Sequence, residues 1–139
     1  DTICIATSNW ILVNLDTGRA ARVTPELAAA YDLDPTPVFP EPLPPIPLDD
    51  GMETYVGTVL RRDIDSNHHV NNLIYLDYAK QALPEDVYTK PFRELTVRYS
   101  RELLLGDVFH CIYHQEDGCH TVELLSESGA KHAQVTFIE

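Results

Sequence analysis

The sequence has no apolar run approaching the roughly 20 residues that cross a bilayer, so no membrane insertion is expected. It also lacks the basic start and long apolar stretch of a secretory signal, opening instead on Asp1-Thr2-Ile3-Cys4-Ile5-Ala6 without an initiator Met. That opening points to a native N-terminus upstream of Asp1, where a targeting segment has room to lie. Cysteine is scarce. Cys4, Cys111 and Cys119 form no CxxC pair and leave an odd thiol, the pattern of a reduced cytosolic protein using cysteine as a small apolar residue. No motif in the sequence marks any of them as an activated nucleophile, which weighs against thiol catalysis. Basic residues are few as well: ten Lys and Arg against 22 Asp and Glu give a net charge of −12. Nucleic acid, whose phosphates require a basic surface, is not an expected partner.

The charge is unevenly spread. Residues 61–102 hold seven bases and seven acids, while the remainder holds three bases against fifteen acids. An acidic partner therefore has only the middle of the chain to meet, although a solvated mixed surface gives the same count. Proline is equally uneven, with seven of its ten residues between 34 and 50. Such a run builds neither helix nor paired strand and reads as an extended linker. It separates residues 1–33 from residues 51–139.

Before the linker, residues 3–15 are rich in apolar and β-branched types, Asp16-Thr17-Gly18 supplies a turn, and residues 19–23 would complete a hairpin. Thr24 and Pro25 then mark the cap and first position of a short helix through Tyr31. This is too little to bury a core alone and looks like the tail of a larger unit. After the linker, residues 53–62 read as a strand. Val70, Leu73, Ile74, Tyr75, Tyr78, Ala79 and Ala82 suit one helix with a broad buried face, ended by Pro84. Extended stretches follow at 92–101, 107–115, 120–126 and 131–138, separated by glycine-containing turns that imply antiparallel neighbours. One helix wrapped by an antiparallel meander is an α+β arrangement. His110 and His114 alternate along one stretch and read as a solvent-facing row.

Reactive side chains crowd where the first post-linker strand gives way to the helix. Asp63, Asp65, Asn67, His68, His69, Asn71 and Asn72 fall within ten positions. A helix N-terminus offers unpaired N–H groups and a positive dipole end, suited to a carbonyl becoming an oxyanion. Histidine is the natural base near neutral pH, and asparagine can polarise a carbonyl. Capping alone accounts for the same residue types, and from their chemistry the two readings stand even. A calcium loop is excluded, because His68 occupies the glycine position and Ile74 the bidentate glutamate position. No histidine pair has a zinc-site spacing on one expected element.

The run Arg62-Asp63-Ile64-Asp65-Ser66-Asn67-His68-His69-Val70-Asn71-Asn72, followed by Tyr75 and Tyr78, resembles the acyl-acyl carrier protein thioesterase family. That family carries an Asp-x-Asp-x-Asn-x-His-Val-Asn-Asn-x-x-Tyr pattern at the central helix of its second hotdog domain. Tyr99-Ser100-Arg101-Glu102 resembles the family's Tyr-x-Arg-Glu segment, although Leu103 stands where a cysteine often follows. The early segment Ala6-Thr7-Ser8-Asn9-Trp10-Ile11-Leu12-Val13, with Thr17-Gly18-Arg19, resembles the end of the first hotdog domain. The resemblance implies a hotdog fold, with residues 1–33 ending an incomplete first domain and residues 51–139 forming the catalytic one. It implies hydrolysis of fatty acyl-carrier protein by an activated water, without metal or organic cofactor. The catalytic set carried over is Asp65, Asn67, His69 and Glu102, with Asp63, His68, Asn71 and Asn72 as support. The implied partner is an acyl carrier protein bearing a fatty acyl chain, with pairing of copies through hotdog sheets an open possibility. The implied compartment is the cytoplasm, or the plastid stroma in a plant. Two alternatives share this resemblance: an acyl-coenzyme A hydrolase, and a non-catalytic acyl-binding module.

Overall fold

The computed structural model describes residues 3–8, 10–31 and 50–139, so the expected linker lies outside the described residues except for Asp50. The chain divides into two compact units, residues 1–46 and 47–139. In the first, the expected hairpin is a turn rather than two strands. Asn14 Oδ1 accepts from the N–H groups of Asp16 (3.1 Å) and Thr17 (2.8 Å), and one bridge, Val13 to Ala20, follows. Helix α1, Pro25–Ala29, begins as its sequence requires, with Thr24 Oγ1 accepting from the Leu27 N–H at 3.2 Å.

The second unit is built on five strands: β1 Met52–Thr58, β2 Glu94–Tyr99, β3 Val108–Glu116, β4 Cys119–Ser126 and β5 Lys131–Ile138. All pair antiparallel in the order β1-β3-β4-β5-β2. The meander from β3 to β5 is as expected. The turn at Gly106, however, does not join neighbours: β2 lies at the far edge on β5, and the chain crosses the sheet to reach β3. β1 also stops at Thr58, four residues before the expected end, because residues 61–63 coil into a single 3-10 turn.

Helix α2 spans Asn72–Gln81, and a short helix α3, Glu85–Tyr88, follows Pro84. Tyr75, Ala79 and Ala82 recur at helical spacing and bury against Phe109, Cys111, Val122, Leu124, Ala133 and Val135 on one sheet face. Leu73 was expected in that face but is 68% exposed, because two residues before Tyr75 it lies roughly opposite on the helix. β3 turns Phe109, Cys111 and Tyr113 toward the helix and His110, Ile112 and His114 away. That second face is not the solvent row expected. His110 Nδ1 lies 2.6 Å from Glu53 Oε2, while the His114 side chain is only 10% exposed, 3.5 Å from Glu123 Oε2 and overlain by Gly51. Alternation fixes which face a side chain takes; it does not say what covers that face.

Candidate active site

Between the 3-10 turn and α2 the chain makes a tight return. The Asp65 N–H donates to the His69 carbonyl (2.9 Å), the His68 N–H donates to the Asp65 carbonyl (3.1 Å), and Ile64 bridges Val70. His68 closes the return at φ 66°, a left-handed conformation that histidine adopts more readily than β-branched residues do. Its side chain is exposed, so its part here is conformational.

This return sets two expected site residues, Asn67 and His69, around the carboxylate of a third, Asp65. Asp65 Oδ1 accepts from the Asn67 N–H at 2.7 Å, and Oδ2 lies 3.5 Å from Asn67 Nδ2 and 3.7 Å from His69 Nδ1. His69 Nδ1 also lies 3.2 Å from the Val70 carbonyl. Both neighbours of Nδ1 are acceptors, so in the neutral ring the proton sits there and Nε2 keeps its lone pair. His69 is half-buried, and Asn67 is exposed.

The supporting residues hold this return in place. Asp63 is 5% exposed, and its Oδ2 accepts from the Leu60 N–H (2.8 Å) and the Tyr78 hydroxyl (2.7 Å). Burial first, and then that carboxylate, push the Tyr78 hydroxyl well above its usual range. The Asp63 carbonyl accepts the Asn71 N–H at 2.9 Å. Asn71 in turn caps α2, its Oδ1 accepting from the Leu73 N–H at 2.9 Å and its carbonyl from the Ile74 N–H at 2.9 Å. Two first-turn donors expected to face a ligand are therefore occupied by the cap. Asn72 opens the helix, and its carbonyl accepts the Tyr99 hydroxyl at 2.9 Å.

Glu102 reaches the same region through the backbone. The Val70 N–H donates to the Leu103 carbonyl at 2.9 Å, and the Leu103 N–H donates to the Tyr75 hydroxyl at 2.8 Å. Glu102 therefore sits one residue from the strap that follows His69. It is not in a strand, since β2 ends at Tyr99, and its exposed side chain has no hydrogen bond to His69. Glu102 instead lines an open groove with Arg101, Leu104, Asp107 and His132, to which Asp65, Asn67 and His69 do not contribute. The structure thus gathers Asp65, Asn67 and His69 directly, and joins Glu102 to them only through the backbone bond between Val70 and Leu103, its neighbour.

The thiols stand apart. Cys111 is buried in the core, where burial first and Glu53 second push it up to about 12, and Leu103 at the family's cysteine position is fully buried. No three His, Cys, Asp or Glu side chains gather as a metal ion would require among the described residues. Sequence reasoning missed His132, which carries no motif and is found only through the carbonyls it touches.

Residues 50–138 match the family model described as the acyl-ACP thioesterase C-terminal domain. The chain belongs to the acyl-acyl carrier protein thioesterase family. Oleoyl-acyl carrier protein thioesterase 2, chloroplastic, of Arabidopsis thaliana is 34% identical over 115 residues, covering 74% of this chain and 31% of the relative. An acyl-ACP thioesterase from Bacteroides thetaiotaomicron superposes with a TM-score of 0.75 at 23% identity, covering 91% of this chain and 52% of that one. A 12:0-ACP thioesterase from Umbellularia californica gives a TM-score of 0.69 at 21% identity, covering 91% of this chain and 51% of that one. The fold of this family member is the hotdog, an antiparallel sheet wrapped around one central helix. The chain spans about a third of the length of the plant relative and about half of each solved neighbour. Among the described residues of this acyl-ACP thioesterase family chain, no helix is long and apolar enough to cross a membrane.

Proposed function

We propose that this chain provides the catalytic domain of an enzyme that hydrolyses fatty acyl-acyl carrier protein to free fatty acid and carrier thiol. The observation that carries the reading is the Asp65 carboxylate holding Asn67 and facing His69 within one turn, on a chain of this family. Fold alone would not carry it, since function resides in the site.

Asn67 donates an amide N–H to the thioester carbonyl, whose oxygen gains charge as water adds. His69 Nε2 takes the proton from that water, and Asp65 facing Nδ1 steadies the imidazolium that forms. Glu102 orients the water from the segment beside Leu103. The new C–O bond completes as the C–S bond breaks, and the proton held by His69 passes to the departing thiolate. An activated water suffices, and no metal or organic cofactor enters.

In this reading residues 1–33 end a first hotdog domain, residues 34–50 link the two, and residues 51–139 carry the chemistry. The chloroplast location in the relatives' names supports a plastid location, read here as the stroma, if this is a plant protein; for any other source the reading is the cytoplasm. The test is thiol release by the full-length protein from matched acyl-carrier protein and acyl-coenzyme A substrates. Faster turnover of the carrier thioester is expected, with about a 100-fold loss in His69→Ala. Preference for the coenzyme A thioester would reassign the substrate, and undiminished turnover in a folded His69→Ala protein would remove the mechanism.

A further inference from the structure

The segment bearing Glu102 lies beyond the last ladder pair of β2, Tyr99 with Ala133, and so lacks a strand partner to fix it. One buried residue takes over. His132 on β5 is 5% exposed, and its carbonyl accepts from the N–H groups of Ser100 (2.8 Å) and Arg101 (3.1 Å). Its ring reaches the same segment from the side. Nδ1 lies 3.0 Å from the Glu102 carbonyl and 3.3 Å from the Arg101 carbonyl. Carbonyl oxygens only accept, so Nδ1 carries the proton and donates to both. Main chain and ring of one histidine thus grip three consecutive residues, 100–102. On the far side Leu103 is held by the Tyr75 hydroxyl and the Val70 N–H. Glu102 is the last residue of the first clamp and adjoins the second, and His132 and Glu102 line the same groove.

We propose that His132 is a positioning residue for Glu102. Its Nδ1–H fixes the peptide from which the Glu102 carboxylate projects, so the reach of that carboxylate toward the attacking water depends on the ring. This inference rests on the thioesterase reading above. It separates the ring's two nitrogens: the role belongs to Nδ1, whose position an asparagine amide reproduces, and not to Nε2.

The test is steady-state hydrolysis of acyl-carrier protein by the full-length protein and its His132→Leu, His132→Asn and Glu102→Gln variants, with folding checked by circular dichroism. A misplacement of about 1 Å lowers rates by up to roughly 100-fold, so His132→Leu is expected to lose about 10- to 100-fold in kcat with KM little changed. His132→Asn is expected to recover most of that loss. In a Glu102→Gln background, His132→Leu is expected to add nothing further, because the group it positions is already gone. Nitrogen-15 NMR of the folded wild type is expected to report the Nδ1–H tautomer. Full kcat in His132→Leu, equal losses with and without Glu102, or an Nε2–H tautomer would each overturn the assignment. A wild-type protein that releases no thiol from any acyl thioester would instead remove the thioesterase reading itself.

Discussion

Removing the Tyr78 hydroxyl tests whether the return before α2 is anchored as described. Tyr78→Phe keeps the ring, which stacks on Phe109 at a centroid distance of 4.3 Å, so apolar packing is retained. What is lost is one hydrogen bond, 2.7 Å long, to the carboxylate of Asp63. That carboxylate keeps the Leu60 N–H at 2.8 Å, while its other neighbour, Arg62 Nε at 3.6 Å, belongs to a side chain 82% exposed and contributes little. The Asp63 side chain is itself only 7% exposed, so water replaces the missing donor poorly. A hydrogen bond to a buried charged group contributes about 1.5–3 kcal/mol, and a loss of about 2 kcal/mol is expected. For a domain of this size that is a fall in Tm of about 8–16 °C.

The assay is urea and thermal unfolding of wild type, Tyr78→Phe, Asp63→Asn and the double variant, with a coupling energy of about 1–2 kcal/mol expected between the pair. The pH dependence adds a signed check. Burial raises the folded-state pKa of Tyr78 above its ordinary 10.0, so its contribution is complete below pH 10. It fades as pH rises beyond that, and the gap between wild type and Tyr78→Phe should narrow there. A loss below about 0.5 kcal/mol with no coupling to Asp63 would mean that the carboxylate is hydrated and the return is held by something else.

Gly57→Ala should destabilise, although alanine alone is about 0.5–1 kcal/mol better than glycine within a strand. A Cβ at Gly57 would meet the fully buried Phe109 ring, and an overpacking penalty of about 1–3 kcal/mol is expected in the unfolding free energy from urea titration, with a lowered midpoint. A more stable Gly57→Ala protein would show that the ring moves freely. At the other end of the sheet, Lys90 Nζ and His120 Nε2 hold the Glu139 carboxyl below its ordinary 4.5, Lys90 chiefly. A lowered carboxyl pKa contributes stability above pH 4.5 that is lost as pH falls through the folded value, so the advantage of wild type over Glu139→Gln should be level near neutrality and shrink in acid. An advantage that grows in acid would reverse the sign and refute the pairing.

What the sequence reveals about this chain divides by the range of the interactions involved. Asn67, Asp65 and His69 lie within five positions, and the bonds that gather them are local, so the motif is legible as a unit. The same holds for Thr24 and Asn71, whose caps join residues two or three apart. β2 fails this condition. Its partner β5 is distant along the chain, Glu94 pairing with Ile138 and Tyr99 with Ala133, and a glycine turn at 106 looks the same whether the strands it leaves are neighbours or not. The candidate site inherits that difficulty. Glu102 is joined to the motif by Val70 and Leu103, and to His132 by a ring 30 residues away, contacts that exist only once β2 has docked on the far edge. Asp65, Asn67 and His69 therefore depend on one local return, while the placement of Glu102 depends on the crossover. Perturbing the β2–β5 edge should disturb Glu102 before it disturbs the histidine, and it is at this joint that the reach of the acid toward water can be altered without touching the base.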